Sequence, residues 1–303
     1  MTNYRIKLWS YPLFQIPLIL LGICLTMLLL FWLLGFGRPQ VAVAIALDVS
    51  GSTYESNIDR FNATGTILNQ QVKAVQAYLK ENNQETLRRP NQVKIFGFGG
   101  EIQPLNNQFD SNSQKVEESL LKSLQEDQSL RSEAMGNGTD FNLAIRTSID
   151  SLKTIEKNCR EMILVTDGQG DVSPTIVTDA KLNNVKINAI VVGGEAPQLL
   201  GASIATGGTY LSGSTSQLIT FFTNNFFQEF NSNLKWIIFW LAMSWICLMW
   251  VLVLPLDRWV FQGLFNLNID QSGKLALSNA LFWTTATLFF LWRFWGIPFF
   301  SGC

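Results

Sequence analysis

The chain has 303 residues, of which 48% are hydrophobic and only 15% charged, so it is richer in apolar residues and poorer in charge than an ordinary soluble domain. It contains no histidine, which excludes Ser-His-Asp and Cys-His catalysis and every histidine-ligated metal site. Its acidic and basic residues nearly balance, at a net charge of −1, but they are unevenly distributed. Residues 39–234 carry 15 Lys and Arg against 21 Asp and Glu. That segment has no basic stripe interleaved with aromatics, so a nucleic-acid partner is not expected.

In chain order, the first feature is a stretch without charge between Lys7 and Arg38, whose apolar heart, from about Ile16 to Phe36, is long enough to cross a bilayer core. It reads as an uncleaved signal anchor, because the run is long and no small-residue cleavage site follows it. A second charge-free stretch runs from Trp236 to Leu256. A third, between Lys274 and Arg293, carries Trp283, Trp292 and Trp295 near its end, residues that favour the headgroup zone. Three spanning helices are expected, dividing the chain into a tail and first span (1–38), a domain (39–234), a second span (235–256), a loop (257–274) and a third span with the C-terminus (275–303). Arg293 reads as a snorkelling end residue.

Between the first two spans, Val41 to Leu47 is a continuous apolar run of the kind found in strands buried on both faces of a parallel sheet. Similar runs recur at Val93–Phe98, Met162–Thr166 and Ile187–Val192. Stretches with helical spacing separate them, at Ile67–Leu79, Val116–Leu124, Leu143–Ile155 and Ile176–Leu182. This alternation predicts an α/β fold, a doubly wound and mostly parallel sheet with helices on both faces. A last helical stretch, about Ser216 to Asn231, repeats Leu218, Phe222, Phe226 and Phe230 at helical spacing. These are expected to form its core face rather than a membrane-interface face. Cys159 is the one cysteine of the segment, so neither a disulfide framework nor a zinc cluster is expected inside it.

The chemistry is concentrated at two strand ends. After the first strand stands Asp48-Val49-Ser50-Gly51-Ser52, in which a carboxylate and two hydroxyls alternate along a turn that Gly51 allows to close tightly. After a later strand stands Thr166-Asp167-Gly168, which puts a second carboxylate at the rim where open α/β sheets bind ligands. Asp140 and Asp171, close by in sequence, read as helix caps or as sources of negative potential rather than ligands. Asn62-Ala63-Thr64 and Asn137-Gly138-Thr139 match the glycosylation sequon, a pattern too short to carry weight.

The pattern resembles the metal-ion-dependent adhesion site of von Willebrand factor A domains: D-x-S-x-S after the first strand, a threonine in a following loop and an aspartate after the fourth strand. Gly136-Asn137-Gly138-Thr139-Asp140 supplies the threonine and Asp167 the last member. The resemblance covers about residues 41–230. It implies a von Willebrand A, Rossmann-like fold and one divalent cation held by Asp48, Ser50, Ser52, Thr139 and Asp167. An all-oxygen shell suits a hard ion, magnesium first, with calcium and manganese as alternatives. Two carboxylates and three hydroxyls leave a coordination position for water or for an incoming carboxylate. The expected function is therefore a membrane-anchored, non-enzymatic module that grips an acidic side chain of a partner protein, within a membrane complex or an assembly process.

The anchored architecture also resembles bacterial membrane proteins of the aerotolerance type, often associated with MoxR-like ATPases, and that association is analogy alone. Two other readings compete. One is a membrane scaffold or assembly factor acting through its helices around a structural metal, with Ser244, Thr284, Thr285 and Thr287 as interhelical contacts. The other is a phosphotransferase of the haloacid dehalogenase kind, which also places a nucleophilic aspartate after its first strand but usually has a second carboxylate where this chain has Ser50. Arg5, Lys7, Arg258 and Lys274 flank the spans on one side, against Arg38, Lys235 and Arg293 on the other. This slight bias predicts an outward-facing domain.

Overall fold

The computed structural model describes residues 8–53, 63–83, 89–126, 138–156 and 159–299. Both sequon asparagines lie outside these residues. The chain forms two compact units, one made of Pro39–Asn231 and the other of the chain on either side of it.

The first unit is a six-stranded sheet of β1 (Val41–Asp48), β2 (Gln92–Phe98), β3 (Ile102–Pro104), β4 (Cys159–Thr166), β5 (Val185–Val192) and β6 (Tyr210–Gly213). The spatial order is β3-β2-β1-β4-β5-β6. All pairings are parallel except that of the short edge strand β3 with β2. The sequence runs for β1, β2, β4 and β5 correspond to the four central strands. The edges β3 and β6 have no such run, being three and four residues long.

The alternation along β1 decides the two layers. Its side chains Val41, Val43, Ile45 and Leu47 point into one core, together with Leu68, Val72, Val75 and Leu79 of α2 (Ile67–Asn82) and Val116, Leu120 and Leu124 of α3 (Ser113–Glu126). The last helix of the domain, α7 (residues 218–230), closes that layer with Leu218, Phe222, Phe226 and Phe230, all buried. This is the core face expected from their spacing. Their strict four-residue repeat suits the backbone they occupy, because Phe221–Phe227 is π-helical and its wider i→i+5 turn keeps residues four apart on one face. On the opposite face β1 presents only Ala42, Ala44 and Ala46. These small residues let α4 (Phe141–Lys153) approach closely with Phe141, Ala144, Ile145, Ile149 and Leu152. Beside it pack α5 (Pro174–Leu182) and α6 (Pro197–Thr206).

Some of the polar groups inside the layers form a bonded chain. Glu161, buried in β4, accepts from the Asn188 amide at 2.9 Å and lies 3.3 Å from Lys186. Burial raises the Glu161 carboxyl above its ordinary range, against the opposing Lys186 charge and Asn188 hydrogen bond. The Asn188 carbonyl in turn accepts from the Thr209 backbone, and the Thr209 hydroxyl donates to Glu229 of α7. Cys159 is disulfide-bonded, which the count of cysteines within the domain did not anticipate.

The second unit contains three helices long and apolar enough to cross a membrane: α1 (Pro12–Leu34), α8 (Leu234–Phe261) and α9 (Ile269–Trp295). Both α8 and α9 extend beyond the charge-free stretches of the sequence. Phe31 of α1 meets Trp236 of α8 in a tilted ring contact at 5.2 Å, and the Asn233 amide donates to the Phe31 and Phe36 carbonyls at 2.7 and 3.0 Å. Between α8 and α9 the Trp250 indole donates to the Thr284 hydroxyl at 3.1 Å. Ser244 and Thr285, by contrast, bond to carbonyls of their own helices.

Phe226 is fully buried and makes ring contacts with both Phe222 and Phe230. Phe226→Ala is expected to destabilise the domain by about 3–5 kcal/mol, read as faster hydrogen exchange of β1 and β4 amides in the full-length protein while protection in α1 stays unchanged.

Candidate functional site

The order β3-β2-β1-β4-β5-β6 makes β1 the strand from which the chain first winds one way and then the other, so the crevice of the fold opens at the carboxyl ends of β1 and β4. Asp48 ends β1 and is fully buried. One carboxylate oxygen accepts from the Ser50 backbone N–H at 2.9 Å, and the other accepts from the Thr166 hydroxyl at 2.6 Å. Gly51–Thr53 then forms a single turn of 3-10 helix, anchored where the Thr53 hydroxyl donates to the Ser50 carbonyl at 2.8 Å. That turn folds the D-x-S-x-S run back on itself and brings the Ser50 and Ser52 hydroxyls within 3.2 Å of each other.

The second segment arrives from β4. The Ser52 hydroxyl donates to the Asp167 carboxylate at 2.9 Å, joining positions 115 residues apart in sequence. The third segment is the loop before α4. The Asp140 backbone N–H donates to the Gly99 carbonyl beyond β2, and its carboxylate caps α4 by accepting from the Leu143 N–H at 3.0 Å. Thr139 is thereby held over Gly168, where a Cβ would stand 3.7 Å from the Thr139 hydroxyl and 3.6 Å from that of Thr166. Three separate segments thus converge on one rim. Exposure grades across it, from the buried Asp48 and Ser50 to the exposed Ser52.

Asp140 serves as a helix cap, and Asp171 accepts from the Gln198 amide at 2.7 Å, so neither carboxylate is turned to the Asp48 group. The sequence reading quoted Thr166 and Gly168 only as neighbours of Asp167 and gave them no role. The Thr166 hydroxyl donates to Asp48 and accepts from the Gly168 N–H at 2.9 Å, tying the two strand ends together. Its signal was a hydroxyl residue at the last position of an otherwise apolar strand.

Burial pushes the Asp48 carboxyl above its ordinary range. Hydrogen bonds from Ser50 and Thr166 oppose that shift, and the Asp167 charge adds to it. An ionised group so placed is under tension that a positive charge would relieve. The side chains expected from the sequence at this rim offer two carboxylates and three hydroxyls, with no sulfur or imidazole, a set whose chemistry would fit a small hard cation. Among the described residues no group of three or more Asp, Glu, Cys or His forms another candidate metal centre.

Residues 43–169 match the family model of the von Willebrand factor type A domain, and the sheet is of the von Willebrand A-like fold. Similar solved structures include an aerotolerance-related membrane protein from Bacteroides fragilis, 16% identical over 63% of this chain and 98% of that one, with a TM-score of 0.47. A second is BatB from Bacteroides thetaiotaomicron, 17% identical over 60% of this chain and 96% of that one, TM-score 0.45. A third is proximal thread matrix protein 1 from the mussel byssus, whose adhesion-site motif holds zinc, 15% identical over 62% of this chain and 47% of that one, TM-score 0.45. At these identities the likeness is one of fold. No curated protein matches the chain.

Replacing Thr166 by valine would leave one buried oxygen of Asp48 without its donor, at a cost of about 1–3 kcal/mol near neutral pH. The sign with pH is fixed. Losing a donor raises the folded-state pKa of Asp48 further, so the deficit is present above that pKa and shrinks as the pH falls through it. Hydrogen exchange of β1 amides in Thr166→Val and the parent across a pH series measures it, and a deficit that persists unchanged in acid would contradict the role given to Thr166.

Proposed function

We propose that the domain binds one divalent cation through Asp48, Ser50, Ser52, Thr139 and Asp167, and through that cation grips an acidic side chain of a partner protein. Magnesium is the first choice of ion. The observation that supports this reading is the hydrogen bond from Ser52 to Asp167, which joins the D-x-S-x-S turn to the end of β4 beside the buried Asp48. Two carboxylates neutralise a divalent charge, and three hydroxyls do not complete an octahedron with them. The remaining position suits a carboxylate from outside. Domains of the matched family are generally interaction modules without catalysis.

The three apolar helices serve as the anchor, and the domain acts at a membrane, within a complex or in its assembly. The distribution of Arg and Lys around the spans favours an outward-facing domain. A reporter enzyme fused after residue 234 that is active only in the cytosol would reverse that orientation.

Partner capture from solubilised membranes is expected to require magnesium, to be lost with chelator, and to be lost in Asp48→Ala even with magnesium present. Capture that ignores both chelator and the substitution would defeat the proposal. The cation itself gives an independent measure. Because it binds the ionised form of Asp48, whose pKa is raised, its affinity is expected to fall by about tenfold per pH unit below that pKa. Isothermal titration of the full-length protein with magnesium at several pH values reads that slope.

A further inference from the structure

The one side chain that α1 buries is a thiol, that of Cys24. What it meets is a second thiol. Cys247 of α8 is hydrogen-bonded to Cys24, and neither cysteine is in a disulfide. A single buried cysteine packs as a small apolar group. Two that face each other across a pair of apolar helices present two soft donors to one point, and the proposed function leaves them unused.

The register of the two helices adds two more sulfurs. Nearer the end of α1, Phe31 meets Trp236 and Trp240 of α8 at 5.2 and 6.0 Å. Phe31 follows Cys24 in the chain whereas Trp240 precedes Cys247, so the helices run antiparallel. On α1, Cys24, Met27 and Phe31 succeed one another at intervals of three and four residues. On α8, Trp236, Trp240, Met243 and Cys247 do so at four, three and four. Such intervals keep each set on one helix face. Met27 and Met243 therefore fall between the ring contact and the thiol contact, on the facing stripes of the pair, and both are half-buried. Two thiols and two thioethers share one level of the helix pair.

Thiolate and thioether donors select soft ions, copper(I) among them. We infer that Cys24, Met27, Met243 and Cys247 form a binding site for one copper(I) ion between α1 and α8. Hydrocarbon tolerates a neutral assembly far better than a charged one, and copper(I) meets that condition. On binding, one thiol gives up its proton, so that Cu+ and a thiol become a copper–thiolate bond and H+, with the other thiol and the two thioethers as uncharged donors. The proton leaves to the aqueous phase and the copper stays monovalent, so no oxidant or reductant takes part. Zinc, by contrast, is bound by nitrogen, oxygen and thiolate ligands, and the two stripes offer neither imidazole nor carboxylate. The site is independent of the hard-cation reading at the sheet rim, and either can fail without the other.

The test uses the full-length protein in detergent, kept anaerobic and titrated with copper(I) against the chelator bathocuproine disulfonate, with bound metal counted by elemental analysis. One copper(I) per chain is expected, and its X-ray absorption spectrum should show sulfur neighbours alone. Cys24→Ser and Cys247→Ser should each weaken binding by more than about 100-fold, the upper end of what loss of an outer-shell partner costs. Met27→Leu combined with Met243→Leu should weaken it by at least about tenfold. Met249→Leu, on α8 but off the stripe, should leave it unchanged. Full affinity in either cysteine variant or in the paired methionine variant would overturn the inference, as would an equal loss in Met249→Leu. Oxygen or nitrogen neighbours at the copper, or zinc retained more tightly than copper(I), would also overturn it. If Cys24→Ser loses its helical circular dichroism, Cys247→Ser, at the less buried of the two thiols, decides.

Discussion

The carboxylate of Asp48 is placed where the sheet has least room for a charge, at the end of its central strand and out of contact with water. An ionised group in such a place is tolerated only when hydrogen bonds surround it, and the local structure of the rim follows from supplying them. The Ser50 N–H is brought in by the turn at Gly51–Thr53, and the Thr166 hydroxyl by the parallel pairing of β1 with β4. The Gly168 N–H then fixes Thr166, which sets Asp167 at the right height to accept from Ser52. The same bonds that make the charge bearable therefore bring the Ser52 hydroxyl and the Asp167 carboxylate together at the same rim. Burial still outweighs them, as the raised pKa shows, and that residual imbalance is what a cation would remove.

The scaffold contributes asymmetry. On the face toward α4 the β1 side chains are alanines, and α4 packs close enough for Phe141, its first residue, to meet Phe98 of β2. That contact places the N-terminus of α4, and with it Asp140 and Thr139, at the carboxyl edge of the sheet. On the other face the valines, isoleucine and leucine of β1 hold α2, α3 and α7 further away and leave space for the aromatic stripe of α7. The position of a hydroxyl at the rim is in this way decided by the size of side chains along β1, several residues below it.

Much of this was legible in the sequence because the signals were strong and local. Uninterrupted apolar runs marked the four central strands, and their alternation with helical spacing marked the winding. Asp48, Ser50, Ser52 and Asp167 stood out as polar groups directly after such runs, and the structure joins them. What stayed hidden was weak or cooperative. Edge strands β3 and β6 contain Gln103 and Ser212 among three or four residues, too few for a period to show. Helix α6 has Gly201 at its centre and both Leu200 and Ile204 exposed, so its apolar spacing does not describe one buried face. Thr166 could not be recognised as a supporting donor without knowing that β4 lies beside β1, which is a property of the pairing and of no single segment.

The two units solve opposite solvent problems with a similar set of apolar residues. In the domain, branched and aromatic side chains turn inward, and several of the polar groups among them are bonded. In α1 only Cys24 is buried, while Ile16, Ile19, Leu25, Trp32 and Leu33 face outward. A helix of this kind loses nothing by exposure only if its surroundings are hydrocarbon. Association between such helices then draws on close approach and polar bonds rather than on expulsion of water. Both are present where Ser272, Ala276 and Ala280 of α9 lie buried, Ala276 and Ala280 packing with Val253 of α8, and where Trp250 reaches Thr284. These contacts end at the turn after Phe261, where the chain reverses and the helices no longer cover one another. That loss of cover leaves Trp259 and Leu264 bare.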